Sequence, residues 1–235
     1  MSLLAFDVAG NACSAAVWSG GEVVAHASEE MQRGQAERLA PMLKSVLDRA
    51  SLAFSQLKII AVTVGPGSFT GVRIGLSMAK SLALATGRPL YGVTTFALQM
   101  SVLSPAVWRD GSVMIVLETK RDDFYVQMYG PDQQPLGPAA AVPSRALVPY
   151  VTDLTGTEAA LTLVGDGAKR ALTEMKIMLG PRLHWRESEP PDARDLARLA
   201  ASEAEAGRPP APPDPFYLRP PDVRRPPATQ CQAES

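Results

Sequence analysis

The sequence feature that most constrains the fold is an apolar strand that runs into glycines and then into a helical pattern. Residues 59–64 read IIAVTV, and the string GPGSFTGVRIG follows directly. An apolar run of this length predicts a buried central strand. The residues after it, Thr70–Ala85, predict a helix that ends at Gly87 and Pro89. Because glycines at such a junction let another group approach the backbone closely, the junction predicts contact with either a phosphate or another piece of protein.

The second half of the chain repeats the scheme of the first half in outline. The first half reads as three strands followed by alternating helices and strands, β-β-β-α-β-α-β-α. Later, the string LTLVGDGA at 161–168 resembles AVTVGPGS at 61–68, and a strand ending in Glu118 corresponds to the strand ending in Asp7. This duplication predicts an α/β protein of two related halves that face each other, rather than one continuously wound sheet.

The pattern divides the chain into three segments. We predict an N-terminal domain over residues 1–108 and a smaller C-terminal domain over residues 109–206. Residues 207–235 are so rich in proline that we predict a largely disordered tail, in which only residues 216–218 contact the body. A proline-rich ligand for a partner protein is the alternative interpretation of this tail.

Neither common nucleotide-binding fingerprint fits the glycine turn. A P-loop needs a Gly-Lys-Ser/Thr string, and no lysine follows Gly65 or Gly67 at the required distance. The dinucleotide fingerprint needs a third glycine where Thr70 stands, and an acidic residue about twenty positions later. No Asp or Glu occurs between Asp48 and Asp110. Both nucleotide-binding motifs therefore fail.

The helix after the turn carries small residues at every fourth position, and the rest of its surface is apolar on nearly all sides. A row of small residues at this spacing lets another backbone come close. The row consists of Gly71, Gly75, Ala79 and Ala83, and the preceding helix has an apolar stripe made of Leu39, Met42, Leu43 and Val46. We interpret both as a helical partner interface, and a central core helix is the open alternative.

The composition excludes several other functions. A formal net charge of -1 gives the whole molecule little attraction for nucleic acid or membranes. Two histidines and two cysteines, far apart in the sequence, offer no metal cluster, disulfide framework or nucleophile–base pair. The apolar N-terminal run lacks a basic region before it, so we expect no signal peptide, no membrane span and a cytoplasmic location. Asp7 and Glu118 either hold a nucleotide-bound magnesium ion or begin polar turns.

Five stretches together resemble the TsaB (YeaZ) family. They are LLAFDVAGNACSAAVW, QAERLAPMLKSVL, VGPGSFTGVRIGLSMAKSLA, GVTTFALQM and, near the end of the chain, FYLRP. The resemblance is strong over about the first hundred residues, where GPGSFTGVRIG is highly specific, and weak over the rest. It implies an actin-like (ASKHA) α/β fold of duplicated βββαβα domains, in the glycoprotease-like (M22) group. It also implies that the chain is the dimerisation subunit of the bacterial machinery that makes threonylcarbamoyladenosine (t6A) at adenosine 37 of tRNA.

The resemblance further implies a subunit without chemistry of its own. The catalytic paralogue, TsaD, holds a metal through a His-x-x-x-His pair, whereas this chain has Gln32, Gln35 and Arg38 near the corresponding helix. The phosphate turns of active actin-like ATPases read Asp-x-Gly/Ser/Thr, but here they read Asp-Val-Ala and Glu-Thr-Lys. We therefore predict no catalytic residue, no metal and no intrinsic cofactor. The degenerate phosphate-loop positions are Asp7, Gly65, Gly67, Ser68 and Glu118.

The predicted function is a non-catalytic scaffold that heterodimerises with a TsaD-type paralogue and is required for threonylcarbamoyl transfer. The resemblance implies two further partners, a TsaE-type ATPase and tRNA, which is bound indirectly through the complex. It also implies that ATP or ADP binds at the junction of the complex. Alone, the chain is expected to form a homodimer through the same surface. The alternative is a stand-alone ATPase or small-molecule kinase of the actin-like superfamily. The predicted interface comprises Leu39, Met42, Leu43, Val46, Gly71, Arg73, Gly75, Met78, Ala79, Leu82 and Ala83.

Overall fold

Two five-stranded sheets, one in each half of the chain, form the framework of the molecule. The computed structural model describes residues 1–108 and 111–219. The strands are Ser2–Asp7 (β1), Ala12–Ser19 (β2), Glu22–Glu30 (β3), Ile59–Gly65 (β4), Leu90–Thr94 (β5), Ser112–Glu118 (β6), Asp123–Tyr129 (β7), Ala140–Pro143 (β8), Leu161–Val164 (β9) and Leu183–Trp185 (β10). The helices are Gln35–Arg49 (α1), Phe69–Thr86 (α2), Thr95–Ser101 (α3), Leu147–Thr155 (α4), Ala168–Leu179 (α5) and Ala193–Glu205 (α6).

The two sheets have the same strand order. In the first sheet the order is β3-β2-β1-β4-β5, with β1 antiparallel to β2 and parallel to β4. In the second sheet β6 takes the place of β1, and the order from the same edge is β8-β7-β6-β9-β10. The central strands are covered on both faces, which is why their sequences are continuous apolar runs rather than alternating ones. This arrangement confirms the predicted duplication.

Helices cover both faces of the first sheet. On one face α1 and α2 pack over Leu4, Phe6 and Val62. On the opposite face α6 packs over Leu3 and Ala5, the alternate residues of the same strand. None of the described helices combines the length and the apolar character needed to cross a bilayer.

Helix α6 corrects the predicted boundary of the C-terminal domain. We assigned residues 109–206 to that domain, yet α6 buries Leu196, Ala197 and Ala200 against the sheet of the N-terminal half. The start of α6 is also tied to that half, because the backbone N–H of Ala193 donates to Ser14 Oγ of β2 at 3.1 Å. The boundary between residues 108 and 109 falls next to residues 109 and 110, which lie outside the described residues.

Residues 211–219, which we call the strap, pack against the body of the molecule. The N–H of Ala211 donates to the carbonyl oxygen of Gly92 on β5 at 3.0 Å, and the N–H of Phe216 donates to Val64 on β4 at 2.8 Å. Phe216 contacts the apolar clusters of both halves. The predicted contact of residues 216–218 is therefore present, while the predicted disorder is wrong for the strap. Residues 220–235 lie outside the described residues.

Candidate functional site

The glycine turn after β4 has a counterpart after β9. Gly65 adopts φ +103° and Gly165 adopts φ +108°, a backbone conformation that strongly favours glycine. At Gly165 a Cβ atom would also overlap the carbonyl oxygen of Val116 on β6. The two turns therefore occupy equivalent places in the two halves, each between a central strand and the helix that follows it.

The close approach that the glycines permit is made by the chain's own backbone. A Cβ atom at Gly67 would overlap the carbonyl oxygen of Ala9, and a Cβ atom at Gly71 would overlap that of Val8. The N–H of Ser68 donates to the same Ala9 oxygen at 2.7 Å. Ser68 also caps α2, since its Oγ accepts the N–H of Gly71 at 3.2 Å. The turn after β1 thus fills the space beside the predicted phosphate-loop positions.

Asp7 ends β1 and holds the turn that follows it. Its Oδ1 accepts the N–H of Ala9 at 2.9 Å. Burial raises the pKa of the Asp7 carboxyl, although the hydrogen bond from the Ala9 N–H acts in the opposite direction. The pKa is raised because water cannot solvate the charged form of the buried Asp7 carboxyl well. The observed role of Asp7 is to shape the turn that contacts α2.

Glu118 ends β6, at the position equivalent to Asp7, and both of its oxygens are bound within the chain. Arg170 on α5 makes a bidentate pair with it, at 2.9 Å from Nε and 2.7 Å from the terminal nitrogen. The N–H of Lys120 donates to the same carboxylate at 2.7 Å. Burial opposes the charge, but these donors outweigh it and hold the pKa of Glu118 below its ordinary value. Arg170 is further fixed by lying 3.6 Å from the Phe124 ring centroid.

The arrangement around Glu118 bears on the alternative that Asp7 and Glu118 together hold Mg–ATP. That alternative needs free carboxylate oxygens, whereas Glu118 is neutralised by Arg170. Within the described residues, no three His, Cys, Asp or Glu side chains lie together as a metal site. Arg170 was not among the predicted site residues, although its position just after the Gly165 turn was the available signal.

The predicted interface stripe on α1 lies inside the protein. The four side chains are at most 1% exposed and pack against the first sheet in the core of the N-terminal half. The prediction of a partner surface is therefore wrong for Leu39, Met42 and Val46, because the apolar stripe of an amphipathic helix is buried against its own sheet. Leu43 packs in the same core but also lines a groove at the surface.

The row of small residues on α2 also faces inward. Gly71 meets the Val8 backbone, and a Cβ atom at Gly75 would lie 3.0 Å from Val8 Cγ2 and 3.4 Å from Val62 Cγ2. Ala79 is fully buried. These three residues are not available to a partner, which corrects the prediction in favour of the core-helix alternative. The backbone-to-backbone approach that they were expected to permit occurs within the chain.

The outward side of α2 lines a shallow groove that α1 borders. Its volume is about 650 Å³, and a second groove of about 440 Å³ continues from it. Met78 lies in both grooves. Of the predicted interface residues, Arg73 is exposed, while Met78, Leu82 and Ala83 are half-buried. The first groove is lined by Ala36, Phe69, Thr70, Arg73, Ile74, Ser77, Met78 and Ser81.

The groove residues that the sequence analysis missed share a helical face. Thr70, Ile74, Ser77 and Ser81 follow one another at spacings of three or four, on a side of α2 that the row of small residues does not occupy. This spacing was the signal that could have found them. Because α2 is apolar nearly all round, the spacing alone did not show which face was free.

Two residues that line the groove, Phe69 and Arg73, form an aromatic cluster with the strap. The rings of Phe69 and Tyr217 stack with their centroids 5.4 Å apart and an angle of 25° between their planes. The guanidinium carbon of Arg73 lies 3.8 Å from the centroid of Phe69, and Arg73 Nε donates to the Tyr217 hydroxyl at 2.9 Å. Phe69 and Tyr217 remain 47% and 41% exposed.

Comparison with known proteins assigns this arrangement to a family. Residues 22–160, more than half of the chain, match the model of the family described as TsaD, tRNA N6-adenosine threonylcarbamoyltransferase. The chain belongs to this family. The matched region includes α1, the glycine turn, α2 and the whole of β6 to β8.

Relatives with known names also resemble the chain. The TsaB protein of Escherichia coli, described as a tRNA threonylcarbamoyladenosine biosynthesis protein, is 34% identical over 57% of this chain. The chain spans only 57% of that relative's length. The protein of the same name from Buchnera aphidicola subsp. Schizaphis graminum is 27% identical over 86% of this chain and 93% of its own length.

A solved structure resembles nearly the whole molecule. YeaZ from Pseudomonas aeruginosa is 26% identical with a TM-score of 0.70, over 92% of this chain and 99% of that chain. Together with the named relatives, this confirms the resemblance to TsaB (YeaZ) that the sequence motifs predicted. The duplicated sheets and the structural match also confirm the actin-like α/β fold.

Proposed function

We propose that this protein is a non-catalytic scaffold subunit for t6A biosynthesis, required for threonylcarbamoyl transfer to adenosine 37 of tRNA. The names of its relatives support the pathway, since the Escherichia coli and Buchnera aphidicola proteins are both described as t6A biosynthesis proteins. In this proposal the chain pairs with a TsaD-type catalytic paralogue in the cytoplasm. A TsaE-type ATPase and tRNA join through that paralogue, and ATP or ADP sits at the junction of the complex.

The observation that carries the proposal is the outward face of α2. This face exposes apolar atoms of Phe69, Ile74 and Met78 along a groove, and Leu84 at the end of the helix is 88% exposed. The small side chains of Ser77 and Ser81 lie between them, which allows a helix to approach closely. A contiguous apolar groove of this kind on a folded chain marks a protein-binding surface.

The occupant that fits best is a protein of the same fold. A paralogue built on the same fold would present its own helix pair, so two such pairs can pack as four helices across an approximate two-fold axis. The same geometry lets two copies of this chain form a homodimer when the paralogue is absent. The homodimer and the heterodimer then compete for one surface.

The test places a charge in the middle of the groove. Met78→Glu should weaken binding to the purified TsaD-type paralogue by about 100-fold or more, because an unpaired carboxylate would be buried in the interface. The matched control is Met178→Glu on α5, where the side chain is 72% exposed in the other half of the molecule. Binding is measured by titration calorimetry, and the homodimer by sedimentation.

A comparison of thermal unfolding and a second substitution in the groove control for the possibility that Met78→Glu fails to fold. Met78 is half-buried, so thermal unfolding of the isolated Met78→Glu chain must be compared with that of the wild type. Ser77→Glu repeats the test at an exposed position of the same groove. If both variants fold and bind the paralogue as tightly as the wild type, the groove is not the interface. Normal t6A in tRNA after depletion of the protein would refute the pathway itself.

The stand-alone ATPase or kinase is distinguished by turnover. It requires Asp7 and Glu118 to engage a nucleotide-bound metal, so Arg170 would have to leave Glu118 first. A phosphate-release assay on the purified chain with magnesium and ATP should give no turnover beyond background. Sustained turnover without any partner would overturn the scaffold proposal.

A further inference from the structure

Arg73 is held between the helix that carries it and the strap. Its guanidinium carbon lies 3.8 Å from the ring centroid of Phe69, four residues earlier on α2, and 5.9 Å from the ring centroid of Tyr217. Its Nε atom donates to the Tyr217 hydroxyl at 2.9 Å. Two aromatic faces and one hydrogen bond therefore orient the guanidinium at an exposed position.

The terminal nitrogens of Arg73 are available to a partner. No ion pair to Arg73 is found within residues 1–108 and 111–219, and α2 contains no Asp or Glu. The acidic residue of the strap, Asp214, is engaged by Lys80 at 2.9 Å. An arginine oriented through Nε presents its outer nitrogens as a rigid fork, which matches a carboxylate in bidentate geometry.

The strap is fixed on both sides of Tyr217. Phe216 is tied to Val64 by its backbone N–H, and Ala211 pairs with Gly92. A Cβ atom at Gly92 would lie 2.7 Å from the carbonyl oxygen of Ala211, so the glycine makes room for the strap. On the other side Arg219 forms an ion pair with Asp123 of the C-terminal half. Tyr217 is thus part of the folded body and fixes where Arg73 can lie.

We propose that Arg73 is a carboxylate anchor of the partner surface, and that Tyr217 of the strap is its positioning residue. This inference rests on the proposed function, because it takes the occupant of the groove to be the TsaD-type paralogue. The partner supplies an Asp or Glu carboxylate to the two outer nitrogens of Arg73 and an apolar side chain to the exposed Phe69 and Tyr217 rings. The docking surface therefore includes a piece of chain more than a hundred residues away from α2 in sequence.

A protein carboxylate fits this site better than an RNA phosphate. The groove that contains Arg73 is also lined by apolar side chains, those of Ala36, Ile74 and Met78. A nucleic-acid backbone would offer these side chains no apolar partner. A phosphate-binding surface normally gathers several basic side chains along its path. Oriented arginines beside aromatic rings, surrounded by apolar contacts, are typical of the residues that dominate protein–protein binding.

The experiment uses two conservative substitutions in the full chain and measures binding to the paralogue by calorimetry. Arg73→Lys keeps the charge but loses the planar fork, and should weaken binding about tenfold or more. Tyr217→Phe keeps the stacked ring and removes only the hydroxyl that orients Arg73, and should weaken binding about three- to tenfold. The control is Arg198→Lys on α6, on the opposite face of the first sheet, which should leave binding unchanged.

The outcomes separate this inference from the proposed function. Wild-type affinity in both Arg73→Lys and Tyr217→Phe, with loss of binding in Met78→Glu, would overturn the anchor and leave the groove as the interface. Wild-type affinity in all three variants would overturn both. Arg73→Lys could instead weaken tRNA binding by the assembled complex while the affinity between the subunits stays unchanged. In that case Arg73 binds an RNA phosphate and the inference is wrong. Both variants should melt within about 2 °C of the wild type, because conservative changes of exposed side chains have little effect on stability.

Discussion

Replacement of Gly71 by alanine tests whether the small residues of α2 face the interior or a partner. The added Cβ atom would overlap the carbonyl oxygen of Val8 and lie 3.0 Å from its carbonyl carbon. Both atoms belong to the backbone of the turn after β1, which cannot rotate away as a side chain can. The turn is further fixed by the N–H of Ser68, which donates to the carbonyl oxygen of Ala9.

The size of the effect follows from two opposing contributions. Alanine stabilises a helix interior by about 1 kcal/mol relative to glycine. Overpacking a well-ordered site costs about 1–3 kcal/mol, and a clash with fixed backbone belongs at the upper end of that range. The expected net loss is therefore about 2 kcal/mol of unfolding free energy, which for a chain of this size lowers the Tm by about 4–8 °C.

Gly75→Ala is the matched comparison on the same helix. Its Cβ atom would meet Val8 Cγ2 at 3.0 Å, and this methyl group can move by a few tenths of an ångström. The helix-propensity gain should offset the tight contact, so the unfolding free energy should change by less than about 1 kcal/mol. Urea unfolding of the isolated chain measures both variants. If Gly71→Ala is as stable as the wild type, or more stable than Gly75→Ala, the close contact with the Val8 backbone is not the reason that position 71 needs a glycine.

Two further predictions concern the acidic residues that end the equivalent strands. The pKa of Asp7 is raised above the ordinary value of 3.8, so the folded chain loses stability as the pH rises from about 4 through the folded-state pKa. Asp7→Asn keeps the acceptor for the Ala9 N–H and should remove this pH-dependent destabilisation, so urea unfolding at pH 7 should show equal or greater stability than the wild type. A variant that is clearly less stable than the wild type at pH 7 would contradict this prediction. The pKa of Glu118 is lowered, so its contribution is present above the unfolded-state pKa and disappears as the pH falls through the folded-state pKa. Arg170→Met should cost about 2 kcal/mol at pH 7 and flatten the acid side of the stability profile, and an unchanged profile would show that the pair is not stabilising.

The elements of the fold were largely predictable from the sequence because their signals are local. The apolar run before Gly65 is long enough to identify a central strand, and the helix after it lies within one residue of the predicted bounds at each end. The recurrence of strand, glycine and helix near Gly165 predicted the duplication that the two sheets confirm. The start of α2 also has a local signal, because a serine directly before a helix commonly accepts a backbone N–H of the first turn, as Ser68 does from Gly71.

The functional assignments on α1 and α2 were predicted less well, for one physical reason. Periodicity shows that a helix has an apolar stripe, but it does not show whether the sheet of the same chain or a second protein covers the stripe. On α1 the chain's own sheet covers Leu39 and Val46 completely. On α2 nearly every face is apolar, so the row at Gly71 and Gly75 gave no indication of its inward direction.

The sequence by itself determined that the chain forms two related α/β halves, that neither common nucleotide fingerprint is intact, and that the motifs resemble TsaB (YeaZ). These conclusions depend on residues close together in the chain. Only the tertiary structure decided what the glycines of GPGSFTGVRIG approach, because Val8 and Ala9 lie about sixty positions earlier. It also decided that α6 crosses to the first sheet and that Tyr217 orients Arg73. Contacts between distant segments depend on how whole elements pack, and no local pattern of residues encodes them.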